Sequence, residues 1–461
     1  MNIKKIVIPK KYQSIINKIS VTAKENNLDV YAVGGFVRDL FINRNPKDLD
    51  IMVHSRKHII NNNFVGINFS KMILKKYNLK KLVIFEKFGT AKLLIDGEEV
   101  EFVIPRKEYY KSNYRKPHVK ITSIRQDAFR RDFTVNALFL RLSDMKIFDF
   151  TLCGLKDIKN KIIRVTDIQS AKTIFKQDPL RILRAIRQSL QLNFNIEHNT
   201  YNAIKTSVKH IKIVSYERIR DELNKILVEK KPSKAFMVMY KINLLSEIFP
   251  EIFKNHLKYH NEKIIKYALQ ILDKIKNNIF LRISFLLHNV CNKYIMYKKK
   301  DNDIFSYCNY FIKNIKEIEY TLKKLKYSKK TTKKIISIVK NNIYTKFYFT
   351  DWTDSSVRKF ANKCGNELNL VMEFSISMSL YFKNNKKLIE ELNNRIKDLK
   401  SKNTLYLKQD LFSGYELMEI FNRAPGKWIK IQKTKIKKMQ IAKPFLTKDE
   451  AIRALCNMDN Y

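Results

Sequence analysis

Val33-Gly34-Gly35-Phe36-Val37-Arg38-Asp39, followed shortly by Asp48-Leu49-Asp50-Ile51-Met52-Val53, puts a glycine turn, a basic side chain and a carboxylate pair in close succession. Side chains on a strand alternate between its two faces, so Asp48 and Asp50 are expected to project together and share a cation. Magnesium is a hard cation that takes carboxylate oxygens alongside substrate phosphates and water. A carboxylate pair beside a turn with close backbone access therefore predicts a phosphoryl or nucleotidyl transfer centre acting on a nucleoside triphosphate. Asp-x-Asp or Gly-Gly alone is common in surface turns and hairpins; the order of elements is what adds weight. Leu28–Val33 has strand character, Phe36–Phe41 fits a short helix opened by Gly34 and Gly35, and Leu49–Val53 suits a strand with a buried face.

The 461 residues are enough for more than one domain. Lys and Arg number 91 against 44 acidic residues, a formal charge of +47 that points to a polyanionic partner such as nucleic acid. Lys, Asn and Ile are abundant along the whole chain, as AT-rich coding DNA produces, so part of that charge reflects mutational drift. No apolar run reaches membrane-spanning length, and Met1–Lys5 lacks a secretory signal's apolar segment. A soluble protein of the cytoplasm, or of an organelle of bacterial origin, is expected. Cys153, Cys291, Cys308, Cys364 and Cys456 are scattered without a C-x-x-C pair, which predicts neither a zinc site nor a disulfide framework.

Six of nine glycines precede residue 155, the next is Gly365, and no proline stands between Pro250 and Pro425. A long segment without these breakers, with apolar residues at helical spacing, predicts an α+β chain in which a mixed-sheet head precedes an all-helical body. Val83–Phe85, Ala91–Ile95, Glu99–Val103 and Ala137–Leu140 are further candidate strands, with Asp96-Gly97 as a hairpin turn. The lysine runs Tyr297–Lys300 and Lys323–Lys326 fit solvated helix faces or loops.

Two more clusters carry chemistry. Asp127-Ala128-Phe129-Arg130-Arg131-Asp132-Phe133-Thr134-Val135-Asn136-Ala137 sets arginines, acids and an amide before an apolar strand. Guanidinium groups clamp phosphates, and Asp or Asn can bind ribose hydroxyls. Arg131, Asp132 and Asn136 are therefore candidate nucleotide contacts, while Asp127 and Arg130 fit a structural ion pair equally well. Gln177-Asp178-Pro179-Leu180-Arg181-Ile182-Leu183-Arg184-Ala185-Ile186-Arg187 reads as a helix start with Asp178 at the N-cap and Pro179 at the first helical position. Asp178 and Arg181 are neighbours on one face. A carboxylate can accept from the exocyclic amine of cytosine or adenine while a guanidinium donates to the adjacent ring nitrogen; uracil and guanine offer a carbonyl where that amine would be.

With these segments, the chain resembles the class II tRNA nucleotidyltransferase and poly(A) polymerase family, most closely bacterial CCA-adding enzymes. The resemblance rests on VGGFVRD with DLD, RRDFTVNA, FDFTLCGLKDIKNKIIR, QDPLRILRAIR and ERIRDELNKIL, in the family's order. It implies a polymerase-beta-like nucleotidyltransferase head at 1–155, a helical neck reading the base at 156–250, a helical body at 251–400 and a tRNA-binding tail at 401–461. Asp48 and Asp50 would ligate magnesium, and Glu101 matches a recurring family acid as a further catalytic candidate. Gly34, Gly35 and Arg38 would approach the triphosphate, Arg131, Asp132 and Asn136 the nucleotide, and Asp178 with Arg181 the base edge; Arg184 and Arg187 match further nucleotide contacts. Expected partners are tRNA, CTP and ATP, with no membrane and no obligate protein partner.

The chain departs from the family pattern at Gln177, where Glu is usual, and Gln188, where Phe is usual. Leu281–Asn289 resembles a degraded trace of the HD phosphohydrolase-like domain of many relatives. Asn289 replaces its defining Asp, Tyr267 falls where a ligand His is expected with only His260 nearby, and no His stands around Tyr307-Cys308-Asn309. Helical scaffold without phosphohydrolase activity is expected there. The rival activities are a poly(A) polymerase, an A-only-adding enzyme and a catalytically inactive RNA-binding protein. Phe88–Val103 lacks the basic stretch of bacterial poly(A) polymerases, and the intact Asp48/Asp50 pair speaks against an inactive protein.

Overall fold

Leu28–Val33, the first predicted strand, becomes β1 in the interior of a seven-stranded mixed sheet. The computed structural model describes residues 6–55, 64–109, 118–167, 171–250, 262–290, 315–346, 348, 351–382, 386–406 and 410–458. They form two compact units, one of residues 1–222 and 238–248, the other of 223–237 and 249–461. The runs at Tyr297–Lys300 and Tyr307–Asn309, and His260, lie outside the described residues.

In the first unit the strands are β1 (Leu28–Val33), β2 (Leu49–Ser55), β3 (Leu82–Phe85), β4 (Thr90–Ile95), β5 (Glu98–Val103), β6 (Arg106–Tyr109), β7 (His118–Ile121), β8 (Leu138–Arg141), β9 (Ile147–Asp149) and the short parallel pair β10 (Ile162–Ile163) and β11 (Asn195–Ile196). The sheet order is β3-β4-β5-β2-β1-β8-β9, with β6 and β7 as a separate ribbon. All pairs in the large sheet are antiparallel except β2 with β5. Asp96 and Gly97 join β4 to β5 with φ of 49° and 84°. Two positive φ values are what a tight turn matched to the sheet's twist requires.

Both faces of the central strands are covered, so β1 and β2 are nearly continuous apolar runs. Helix α1 (Lys10–Glu25) buries Tyr12, Ile15, Ile16, Ile19 and Ala23 at helical spacing. It covers one face with α3 (Val65–Lys76), whose Phe69 meets Phe102 edge-on at 5.8 Å. The short α2 (Gly35–Phe41) follows β1 directly. On the other face Tyr31, Val33, Met52 and Phe139 pack with Ala128 of α4 (Ile124–Arg130). Asp50 has the same strand parity as Met52, which places it on this second face at the end of the apolar cluster.

The segment after the large sheet is mainly helical: α5 (Gly154–Asn160), α6 (Ala171–Gln177) and α7 (Leu180–Leu192), with β10 as a short strand between α5 and α6. Helix α7 buries Leu180, Ile182, Leu183, Ala185 and Ile186, and on another face Arg181, Arg184 and the likewise buried Gln188 stand at i, i+3 and i+7. It starts one residue later than the sequence predicts. Pro179 stands at the N-cap with φ −64° and ψ −12°, and Asp178 lies in the turn before it, its Oδ1 accepting from the Leu180 N–H at 3.3 Å. Proline is already helical in φ, so the pattern alone shifts the start by one position.

In the second unit the described regular elements are helices, as the absence of Gly and Pro predicts. Leu368–Phe382 has almost no polar face and sits inside the bundle, while Lys386–Ser401 buries Ile389, Leu392, Ile396 and Leu399. Within Leu281–Asn289, Arg282 is 3% exposed and works as a tie. Its Nη1 donates to Leu227 O and Glu229 O at 2.6 Å each, and its Nε and Nη2 to Ile275 O at 3.2 and 3.1 Å. His288 is buried near the Phe374 ring, and Tyr267 donates to Leu380 O at 3.4 Å. Among the described residues no helix is long and apolar enough to cross a membrane.

Candidate active site

Strand register assembles the acids. Asp50 on β2 stands opposite Val33 of β1 and Glu101 of β5, and Lys92 of β4 stands opposite Glu101. Residues directly opposite across a sheet share a face, so two carboxylates and an ammonium line up in one row. Asp48 is not on the strand as predicted; β2 begins at Leu49, and Asp48 precedes it as an exposed residue. It still faces the same cleft as Asp50. Burial first, then the Glu101 carboxylate, push the half-buried Asp50 carboxyl up to about 6, with Asp48 adding to the rise and Arg131 and Lys92 opposing it. Crowded, partly desolvated carboxylates of this kind gain most from a bound cation.

Gly34 lets the chain pass over these acids. Its φ of 74° and ψ of −139° are a conformation open chiefly to glycine. A Cβ there would lie 3.4 Å from Arg131 Nη1 and 3.6 Å from Asp50 Oδ2.

Arg38, projecting from α2, donates through Nε and Nη2 to Asp39 Oδ1 at 2.8 and 2.7 Å, and through Nη1 to Asn136 Oδ1 at 2.7 Å. Asn136 Nδ2 donates to Asp132 Oδ1 at 2.9 Å and to Gln188 Oε1 at 3.0 Å. Arg184 grips Asp132 Oδ2 through Nε at 2.9 Å and Nη2 at 2.6 Å. Burial alone would raise the Asp132 carboxyl, but Arg184 and the Asn136 bond hold it down to about 2. Arg131 donates to the fully buried Asp127 at 3.0 Å and lies over the Phe139 ring at 4.9 Å. Arg130 pairs with the other oxygen of Asp127 at 2.7 Å, so Asp127 has the structural role that sequence left open.

The FDFTLCGLKD stretch braces this network from below. Thr134 Oγ1 donates to Asp157 Oδ2 at 2.7 Å, and Arg164 Nε pairs with the same oxygen at 3.0 Å. A Cβ on Gly154 would fall 2.7 Å from Thr134 O and 2.8 Å from Leu138 Cδ2, closer than packed atoms approach. Gly154→Ala is therefore expected to cost about 1–3 kcal/mol of folding stability, read from the denaturant midpoint at unchanged slope. Because the turn at Thr134 also carries Asn136, nucleotide affinity should fall with it.

These groups face a single cleft of about 740 Å³. Of the residues singled out from sequence, Gly34, Gly35, Arg38, Asp48, Asp50, Arg130, Arg131, Asp132, Asn136, Asp178, Arg181, Arg184 and Arg187 line it, while Glu101 flanks it on the sheet. The Asp178 and Arg181 side chains are not bonded to each other. Asp178 Oδ2 accepts from Arg218 Nη2 at 2.9 Å, and Arg181 Nη2 donates to Arg130 O at 2.9 Å. Arg187 pairs with Glu222 at 2.6 Å. Sequence reasoning missed Arg106, Gln191 and Arg218 as lining groups. Arg218 lies within the quoted ERIRDEL stretch, but nothing in its local spacing marks it; Arg106 follows the strand that bears Glu101 and had no flanking signal.

Among the described residues no cluster of three or more His, Cys, Asp or Glu groups could hold a metal by itself. Asp48 and Asp50 nevertheless suit a hard cation. They are all-oxygen donors under electrostatic pressure, and magnesium commonly takes only one or two carboxylates beside substrate phosphates and water.

Residues 30–164 match the model of the poly(A) polymerase head domain, 193–255 that of a probable RNA- and SrmB-binding site of polymerase A, and 299–456 that of a putative tRNA nucleotidyltransferase domain 2. In this order the matches span most of the chain, which belongs to the tRNA nucleotidyltransferase and poly(A) polymerase family. Over 278 residues it is 32% identical to the A-adding tRNA nucleotidyltransferase of Geobacter sulfurreducens, covering 59% of this chain and 29% of that protein. Over 229 residues it is 32% identical to the CCA-adding enzyme of Lactobacillus helveticus, covering 49% of this chain and 53% of that one. The chain thus spans about half, or less, of the length of these curated relatives. Its fold is similar to that of the Bacillus stearothermophilus CCA-adding enzyme in complex with CTP, with a TM-score of 0.67 at 19% identity over 98% of each chain.

Proposed function

We propose that the chain is a nucleotidyltransferase that adds C, C and A to the 3′ end of tRNA without a template, using CTP and ATP and releasing pyrophosphate. The observation that carries this is the meeting, in one cleft, of the Asp48/Asp50 pair with an arginine-lined wall that ends at Asp178 and Arg181. Asp48 and Asp50 would hold a divalent cation, taken to be magnesium, with Glu101 as the adjoining acid. Bound there, such a cation offsets triphosphate charge and acidifies an attacking hydroxyl.

The protein groups do the rest. Arg38, braced between Asp39 and Asn136, and Arg131, braced on Asp127 and Phe139, present guanidinium groups to the triphosphate without having to reorganise. The Asp178 carboxylate accepts from the amine shared by cytosine and adenine while Arg181 donates to the neighbouring ring nitrogen. Arg184 and Arg187 add positive charge along the same helix. In this scheme residues 1–155 are the catalytic head, 156–250 the base-reading neck, and 251–400 with 401–461 a body and tail whose basic helices follow the RNA backbone by charge and shape. The segment Leu281–Asn289 serves as scaffold rather than as a phosphohydrolase centre. A tRNA end-processing role places the protein in the cytoplasm or in an organelle of bacterial origin.

The test supplies purified protein and a tRNA lacking its terminal CCA with each labelled nucleotide in turn. Incorporation of C followed by A is expected. A alone would reassign the chain to A addition, long A tracts to poly(A) synthesis, and no incorporation to RNA binding.

A further inference from the structure

Gln188 stands where a phenylalanine is usual in the family, yet it is 4% exposed and lies on the wall of the cleft. A buried amide is costly unless it is bonded. Its partners here are specific: Oε1 accepts from Asn136 Nδ2 at 3.0 Å, and Nε2 lies 3.5 Å from Asp132 Oδ2. Since Asn136 Nδ2 also donates to Asp132 Oδ1 at 2.9 Å, the three side chains close a ring.

The ring fixes which way Asn136 faces. Both hydrogens of its amide nitrogen have acceptors, and its Oδ1 is left for Arg38 Nη1 at 2.7 Å. Turning the amide over would set Oδ1 against the Asp132 and Gln188 oxygens and Nδ2 against the Arg38 donor, three unfavourable contacts at once. A phenylalanine at 188 would leave one Asn136 hydrogen without an acceptor. Arg184 sits one turn before Gln188 on α7 and holds Asp132 Oδ2 by charge. Drawing Arg184 toward a nucleotide would cost Asp132 its guanidinium, and the neutral contact from Gln188 would remain.

We infer that Gln188 is a positioning residue for the incoming nucleoside triphosphate: it orients Asn136, and through it the Arg38 guanidinium that faces the phosphates. This rests on the function proposed above only in taking a triphosphate as the ligand, so the readout is binding rather than incorporation. The full chain is titrated with ATP and Mg2+ by calorimetry, as wild type and as Gln188→Met, Gln188→Asn, Asn136→Ala and the Gln188→Met/Asn136→Ala pair. Gln188→Met keeps the volume and loses both polar atoms; Gln188→Asn keeps the polarity and loses the reach, which covers the case in which one of them fails to fold.

Each Gln188 variant is expected to weaken ATP binding about fivefold. In the Asn136→Ala background Gln188→Met should add less than about twofold, because two residues acting through one contact are not additive. Binding unchanged in the Gln188 variants, or an equal further loss without Asn136, overturns the inference. Wild-type protein that binds ATP but extends no tRNA sinks the proposed function and leaves the inference standing; wild-type protein that binds no triphosphate sinks both.

Discussion

Protein carrying Asp50→Ala is expected to lose at least about a thousandfold in incorporation rate, a barrier increase of about 4 kcal/mol, while its affinity for tRNA stays within about twofold of wild type. The separation follows from where the charges lie. Asp50 is half-buried at the sheet end of the cleft, among acids, whereas RNA backbone is bound by basic surface. Asp50→Asn, which keeps the shape, adds a second reading in metal-free buffer. The folded carboxyl sits at about 6 against an ordinary 3.8, so the native state holds a proton that the unfolded chain has already released between those values. Native stability therefore falls as pH rises from about 4 to about 6. The asparagine variant escapes that loss and should be more stable than wild type by roughly 2–3 kcal/mol at pH 7, the difference vanishing below about pH 4. A variant of unchanged stability that still extends tRNA within about tenfold of wild type would remove Asp50 from the reaction.

Such a trade of stability for function is visible only once the neighbours of Asp50 are known, and that marks the limit of what the chain alone discloses. Strands β1 and β2 were legible because their apolar runs are short and bounded by turn residues, and β4 and β5 because Asp96-Gly97 joins them, its two positive φ values leaving one compact hairpin. The glycine turn was legible because no other residue type meets the geometry at Gly34. Pairings within the cleft were not. Arg38 and Asn136 are 98 positions apart, and Arg184 and Asp132 are 52 apart. The sequence shows that arginines and acids occur together in these segments, but partner choice depends on how α2, α4 and α7 converge.

The same limit explains the two misplaced acids. Asp48 precedes β2, and Asp178 lies one residue further from α7 than expected, because strand and helix ends depend on tertiary contacts that a periodic pattern does not encode. It also explains Gln188. A polar residue replacing an aromatic one looks like erosion of the helix packing until the Asn136 amide is found opposite it. In the second unit Arg282 is comparable: nothing on its apolar helix marks a role, whereas its guanidinium binds the carbonyls of Leu227 and Glu229 at and just beyond a helix end.

Substituting Asp178 should change which nucleotides enter. Asp178→Ala is expected to lower kcat/KM for CTP and ATP by about a hundredfold, near the upper range for a paired base contact, while UTP and GTP change by less than about threefold. Discrimination then collapses to about tenfold or less. Asp178→Asn is the sharper variant, because its amide can turn a donor toward the carbonyl of uracil or guanine, and misincorporation of U should rise above that of the alanine variant. A structural role predicts something different. Asp178 also accepts from the Leu180 N–H and pairs with the half-exposed Arg218, so if its task were to start α7, all four nucleotides would lose equally. Arg218→Ala separates these tasks: it frees the carboxylate without removing it, and should preserve the preference for CTP and ATP. A uniform loss across the four nucleotides in both Asp178 variants would assign the residue to the folding of the neck and leave base selection to groups elsewhere in the cleft.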